Sequence, residues 1–344
     1  MTAISNRCCY HLIRRCIVIC TALALLSPGL FLGSSGQEAM ENIQSPAPKR
    51  AAPKVFRLGF LRTDLEQELG MAWYETLKAY LEQNDRVMKS LQEAGFSEIA
   101  VLPTDGHEDM IQAMNHKEFD VAFCSSYVFA MVEQGTYHVI LQLRRDSDIW
   151  DTRGGGRVLQ KGVVFVNNRS PLFTADLSSE AAMNQAIADY MPHQRMAFVS
   201  SYSAPSYVYP LVKLYRQFGG VQPRSFIFCG SSEEVVKYVI NGLVDIGACE
   251  AGVIDEVVRS IDSNVRPERM VRVIFETDFL PTDPIVLKAE YYPRHPLGLA
   301  IKEAIKSFYN QGPPGKPRVE NSQDLYYQNL REVIAEFNTL RAVR

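Results

Sequence analysis

Residues 195–210 read RMAFVSSYSAPSYVYP, and the rest of the chain is organised around this run. Residues 196–199 form a short apolar stretch of strand type. Residues 200–206 then supply Ser200, Ser201, Ser203 and Ser206 around Tyr202, and an apolar pattern of helical spacing resumes over 208–218. A strand that ends in small hydroxyl residues and opens a helix suits an anion. The free N–H groups of the first turn and the helix dipole both favour negative charge there. The same serines equally suit a plain N-cap, and the segment alone leaves both readings open.

Working outward, the pattern repeats on both sides. Downstream, SFIFC (225–229) reads as a strand, 232–241 as a helix, VDIGAC (244–249) as a strand and 253–260 as a helix; 181–190 upstream is also helical. An earlier unit has strands at VFRLGFL (55–61), 98–102 and DVAFC (120–124), with helices over 71–91, from 109, and from 128. This alternation predicts mainly parallel sheets flanked by helices. Between the units, 138–144 and 162–166 read as strands, and 145–157, with Gly154, Gly155 and Gly156, as a surface loop. The strand over 271–276 runs into Leu280-Pro281-Thr282-Asp283-Pro284, and helices over 297–308 and 324–340 close the chain. Two α/β units with the chain returning near Asp283 predict two lobes joined by two crossing strands. Ligands of open sheets lie beyond the carboxyl ends of the strands. The polar strand ends at Arg62-Thr63, Ser125 to Tyr127, Ser200 to Ser206, Gly230-Ser231 and Glu250 are therefore expected to share one cleft.

Composition is that of a globular chain, 47% hydrophobic and 22% charged among 344 residues, and a net charge of −3 gives no basic field for nucleic acid. Arg7, Arg14 and Arg15 precede an apolar run over 16–32 that holds Pro28-Gly29, and small residues follow. This order is that of an export signal, with an uncleaved anchor as the alternative. Pro46, Pro48 and Pro53 mark 37–54 as a spacer. Beyond the signal only Cys124, Cys229 and Cys249 remain, an odd number without metal-ligand spacing, so neither a disulfide framework nor a zinc site is expected.

Several segments in order also carry a family resemblance: Pro103-Thr104-Asp105; Phe119 to Phe123 with Ser126-Tyr127; Ala197-Phe198-Val199 with Ser203, Tyr207 and Pro210; Gly230-Ser231; Asn241 to Ala248; and Pro281 to Pro284. Over roughly 55–309 the chain resembles the phosphonate/phosphite/phosphate-binding proteins of ABC importers. The resemblance implies a type II periplasmic binding fold. The first lobe is expected over 55–165 with 284–311 returning to it, the second over 166–283, and a helical extension over 312–344. It also implies free thiols at Cys229 and Cys249, because the family's strand order puts the 196–199 strand between them. The family's anion loop usually reads Ser-Thr-Ser-Gly; here it is Ser203-Ala204-Pro205-Ser206, so two hydroxyls are missing and Pro205 removes a backbone donor. The histidine that often follows Gly-Ser is Ser232 here. Asp283 matches the family's aspartate in Pro-x-Asp-Pro, and Glu250 lies near its other carboxylate, both implied to meet a ligand amino group; Asp283 also reads as a hinge-turn residue.

The function expected from these observations is capture of a small anionic or zwitterionic solute by hinge closure, for delivery to a membrane permease and its ATPase. Expected contacts are Thr63, Ser125, Ser126, Tyr127, Ser201, Tyr202, Ser203, Ser206, Glu250 and Asp283. No metal, cofactor or nucleic acid is expected, and the protein is read as a monomer outside the inner membrane. A sensory module feeding a separate receptor is the alternative. An enzyme is disfavoured: no nucleophile–base pair stands out, and His107, His116, His138, His193 and His295 fall away from the expected cleft loops.

Overall fold

A computed structural model describes residues 54–62, 70–144, 149–151, 157–261, 266–312 and 318–342. The expected signal, the expected spacer up to residue 53, Gly154 to Gly156 of the expected loop, and Thr63 lie outside the described residues. All described residues belong to one compact unit, Ala52–Arg344.

The chain opens with β1 (Lys54–Leu61), whose alternate side chains Phe56, Leu58 and Phe60 are fully buried. The expected single helix over 71–91 is two, α1 (Gly70–Glu82) and α2 (Asp85–Glu93), because Asn84 caps the second: its Oδ1 accepts from the Val87 N–H at 3.2 Å. There follow β2 (Phe96–Thr104), α3 (His107–Asn115), β3 (Val121–Phe123), α4 (Ser126–Met131) and β4 (Tyr137–Arg144). The connection expected to be all loop contains β5 (Ile149–Asp151) and β6 (Arg157–Gln160), an antiparallel pair. Next come β7 (Gly162–Asn167), α5 (Pro171–Thr174), α6 (Glu180–Tyr190) and β8 (Arg195–Phe198). A five-residue π turn, Ala204–Val208, then feeds directly into α7 (Tyr209–Phe218). The remainder is β9 (Ser225–Phe228), α8 (Ser232–Ile240), β10 (Ile246–Glu250), α9 (Val253–Ile261), α10 (Pro267–Met270), β11 (Val271–Glu276), β12 (Leu280–Pro281), β13 (Pro284–Lys288), α11 (Pro296–Asn310), β14 (Arg318–Asn321) and α12 (Gln328–Ala342).

Among the described residues these strands form sheets in the orders β14-β4-β13-β3-β1-β2, β11-β7-β10-β8-β9 and β12-β6-β5. Each large sheet has the same heart. Three parallel strands (β3-β1-β2 and β10-β8-β9) meet an antiparallel strand that has just crossed over, β13 in one and β7 in the other. The crossings themselves pair, Leu280 opposite Gln160 and Pro281 opposite Leu159, which makes the small third sheet the joint between the lobes. As expected, β8 separates β9 from β10, and Cys229 and Cys249 are free thiols; Cys124 forms no disulfide among the described residues.

One aspartate device is used in both lobes. Asp120, just before β3, accepts from the Arg57 N–H at 2.8 Å and donates its own N–H to the Arg57 carbonyl. Asp245, just before β10, does the same to Arg195. Each fixes the register of a parallel pair at its start, so the motifs FDVAF and VDIGA are structural signatures. Asp120 is 5% exposed, and burial raises its pKa. Apolar clusters fill the outer layers of each lobe, and a further one runs through both, from Leu61 and Tyr127 to Phe198, Tyr207 and Phe337.

Candidate functional site

The loop after β8 is held by its own serines. Ser203 caps the π turn, its Oγ accepting from the Ser206 N–H at 3.2 Å, and its carbonyl accepts from both Tyr207 and Val208. Pro205 is tolerated because it sits in the first turn, where its missing N–H would have had no intrahelical partner. Ser200 Oγ accepts from the Tyr202 N–H, and the Ser200 carbonyl from the Ser203 N–H. Among the described residues, the N–H groups of Ser201 and Ala204 and the Ser201 hydroxyl have no protein partner. The donor set is thus narrower than a Ser-Thr-Ser-Gly loop would offer. It is not empty.

Ser206 corrects an expectation. Its side chain is 0% exposed; the hydroxyl donates to the Ala248 carbonyl at 2.6 Å and accepts from the Val199 N–H at 2.8 Å. It staples the turn to β8 and β10, and these two backbone bonds take it away from any ligand. The turn is pressed equally hard from β7: a Cβ on Gly162 would lie 1.9 Å from the Pro205 carbonyl oxygen, so only glycine lets the crossing strand pass. Glu250 ends β10 directly opposite Gly162, and the next N–H, of Ala251, donates to the Lys161 carbonyl. Glu250 and the loop after β8 therefore stand at the same end of the second sheet.

From the first lobe, Ser125 caps α4 through its Oγ, which accepts from the Val128 N–H at 3.3 Å. Asp283, between β12 and β13, accepts from the Ser126 N–H at 2.8 Å. Its carboxylate thus sits at the start of α4 and ties the crossing strand to this lobe, the hinge-turn reading. Ser126 and Tyr127 are 2% and 4% exposed, and burial is the main reason the Tyr127 pKa is raised.

The lobes touch at Tyr202. Its ring stacks on His107 with centroids 4.5 Å apart and planes 7° from parallel, and meets Tyr127 edge-on at 5.6 Å. Its hydroxyl donates to Glu108 Oε1 at 2.8 Å, and that bond is the main cause of its raised pKa. His107 and Glu108 were not expected here, because β2 was read as ending at residue 102. It runs to Thr104, which makes Asp105-Gly106 the strand-end turn and puts His107 and Glu108 on the cleft. The Asp-Gly pair after a strand was the signal available. Burial lowers the His107 pKa to about 4, so the imidazole is neutral near pH 7. Sequence reading also missed Arg341, in the last turn of α12, whose charge acts on both Tyr127 and Tyr202.

The structure thus links Ser125, Ser126, Tyr127 and Asp283 on one lobe with Ser201, Tyr202 and Ser203 on the other, and places Glu250 beside the latter. Among the described residues no cluster of three His, Cys, Asp or Glu side chains could hold a metal ion, and no helix is long and apolar enough to cross a membrane.

Comparison with known proteins follows the same lines. The family model described as "ABC transporter, phosphonate, periplasmic substrate-binding protein" matches residues 69–321. A search of curated proteins finds no match. Among solved structures, a Xanthomonas citri protein bound to chloride ion has a TM-score of 0.58 at 18% identity, covering 84% of this chain and 99% of its own. PhnD1 from Prochlorococcus marinus, in complex with methylphosphonate, has a TM-score of 0.51 at 17% identity, covering 83% and 99%. A binding-protein component of an ABC phosphonate transporter from Pseudomonas aeruginosa gives 0.51 at 13% identity, covering 83% and 87%.

Proposed function

The chain belongs to the family of periplasmic substrate-binding proteins of phosphonate ABC transporters, and from that premise we propose how its cleft takes a solute. Members of this family bind a small ligand and work with a membrane permease and ATPase, and the type II periplasmic binding fold is present here. In our reading the solute is a small organic anion or zwitterion. Its anionic end lies on the loop after β8, where the N–H groups of Ser201 and Ala204 and the hydroxyls of Ser201 and Ser203 supply donors. Ser125, Ser126 and Tyr127 close over it from the first lobe. Glu250 and Asp283 meet its cationic or donor part. Thr63, two residues beyond β1 in the sequence, belongs to the same proposal by that position.

We take 1–36 as the export signal or tether and 37–54 as a spacer. The lobes are assigned to 55–165 with 284–311 and to 166–283, with 312–344 as an extension. The protein acts as a monomer, without a nucleic-acid partner and without catalysis of its own. The observation that carries the reading is the pair of N–H groups, of Ser201 and Ala204, with no partner among the described residues, just beyond the carboxyl end of β8 and on the lobe-to-lobe contact. Calorimetry with methylphosphonate, 2-aminoethylphosphonate and inorganic phosphate tests it. We expect the aminated compound to bind best and Ser201→Ala to weaken it by about 1–3 kcal/mol per lost charged bond. Equal binding by Ser201→Ala, Ser203→Ala and the unchanged chain would remove the loop from the site.

A further inference from the structure

Tyr202, in the solute loop, makes contacts that reach across to the opposite lobe. Three contacts hold it there. One face lies flat on His107, an edge or face meets Tyr127 nearly at right angles, and the hydroxyl is bonded to Glu108. His107 and Glu108 are the first two residues of α3, and Tyr127 is the second of α4, so the ring bridges two separate elements of the first lobe. It is also fixed at its root, because its own N–H is bonded to Ser200 Oγ at 3.3 Å.

Two consequences follow from geometry. The hinge cannot open at this point without breaking the stack and the hydroxyl bond together. And while the lobes are closed the ring cannot turn aside, since face, edge and hydroxyl are each engaged. A solute resting between Ser201 and Ser203 must fit beside a phenol it cannot displace. We propose that Tyr202 is the gate of the cleft, a specificity-determining residue. It latches the closed form on His107 and Glu108, and it limits the size of the group a solute carries beyond its anionic head. The size limit rests on the proposed solute loop; the latch does not. The chemistry of the three contacts explains why a tyrosine serves. A phenylalanine would keep the stack and lose the bond to Glu108, and a serine would keep a hydroxyl that could not reach.

The full chain with Tyr202→Ala, Tyr202→Phe and Glu108→Gln is compared with the unchanged protein in two measurements. Small-angle scattering without added solute reads lobe opening, and stopped-flow release of methylphosphonate reads the gate. Tyr202→Phe and Glu108→Gln are conservative changes at partly or fully exposed positions, so they remain informative if the alanine variant folds poorly. We expect Tyr202→Ala to enlarge the radius of gyration and to speed release about tenfold, with the two conservative variants a few-fold faster than the unchanged protein. We also expect phenylphosphonate to gain affinity relative to methylphosphonate in Tyr202→Ala, because the space of the ring becomes free. Unchanged scattering and release in all three variants would overturn the gate, while leaving the solute loop standing if Ser201→Ala still weakens binding. Should methylphosphonate, phenylphosphonate and 2-aminoethylphosphonate all fail to bind, the solute reading and the size limit fall. The scattering of Tyr202→Ala then decides the latch alone, a larger radius supporting it and an unchanged one overturning it.

Discussion

The two lobes meet at the mouth of the cleft and again behind it, and the two contacts have opposite chemistry. At the mouth the contact is one half-buried tyrosine on a histidine, a second tyrosine met edge-on and an exposed glutamate. Behind it, α12 lies against both lobes with an apolar face. Tyr327, in the turn just before α12, stacks edge-on with Phe129 of α4 at 5.2 Å, and Phe337 of α12 with Tyr207 of the π turn at 5.4 Å. Leu330, Val333, Ile334 and Phe337 are all nearly fully buried. Apolar contacts are non-directional and strengthen with area, whereas a stack and a single hydrogen bond are lost within an ångström or two of displacement. The rear contact therefore contributes stability and the front one selectivity. A pocket of about 40 Å³ lies between α7 and α12, walled by Leu214 and Tyr215 on one side and Phe337 and Leu340 on the other.

The largest effect is expected from the rear. Phe337 is 2% exposed and joins the apolar cluster shared by both lobes. Phe337→Ala should cost about 3–5 kcal/mol, the transfer of a buried ring plus the void it leaves. Denaturant unfolding measures this. A loss below about 1 kcal/mol would mean that α12 merely rests on the second lobe, and the contrast between front and rear would collapse.

Next comes the anchor of α12 on the first lobe. Arg331 Nη1 donates to the carbonyls of Ala130 and Val132 at 2.8 Å each, and the guanidinium lies 4.7 Å over the Phe129 ring. It thereby satisfies the carboxyl end of α4, whose last carbonyls have no intrahelical partner. Arg331→Met keeps most of the volume and deletes the donors. We expect a loss of about 1.5–3 kcal/mol, with methylphosphonate release unchanged. Faster release would show that the rear anchor, too, controls opening.

How much of this was legible follows from the range over which each feature is encoded. The parallel strands could be read because each is a short apolar run closed by a turn, and Asp120 and Asp245 mark two of their starts. The break between α1 and α2 was missed although Asn84 is a good cap, because apolar spacing continues across it. The β5–β6 pair and β12 escaped because such short strands carry almost no periodicity, and they exist as strands through pairing with one another. At the site, Ser203 was visible as a cap or a ligand contact and proves to be a cap at least, and Ser125, read only as a contact, caps α4. Ser206 was misplaced because nothing local says that its hydroxyl will be taken by Ala248, 42 residues on. His107 and Arg341 owe their places to elements that meet only in three dimensions.

A third, smaller effect separates front from rear by pH. Burial lowers the His107 pKa to about 4 in the folded chain, against about 6.5 when unfolded. Between those values the unfolded chain binds the proton and the folded one does not, so stability is full above about pH 6.5 and is lost as pH falls toward about 4. Because the ring is only half-buried, solvent screens it, and about 1 kcal/mol is the expected size. Thermal unfolding across pH should show this slope in the unchanged chain and a flatter one in His107→Phe, which keeps the stack without the titration. Identical slopes would place the histidine in water and weaken the description of the mouth.

The smallest effect is expected where the rear contact itself reaches solvent. Arg216 of α7 and Glu336 of α12 form a two-pronged ion pair, Nε to Oε1 at 3.0 Å and the second prong from Nη2 to Oε2. Their side chains are 51% and 32% exposed. The fork geometry favours the pair, but water solvates both partners when they part, and ordering two long side chains offsets much of the attraction. A double-mutant cycle with Arg216→Gln and Glu336→Gln should give a coupling of about 0.2–1 kcal/mol, shrinking in 1 M salt. The pair crosses from the C-terminal helix to the second lobe within a turn of Phe337, so the cycle compares charge and apolar burial at one place. If the coupling were as large as the loss in Phe337→Ala, the rear contact would be electrostatic, and its independence of salt and pH, which sets it apart from the mouth, would be gone.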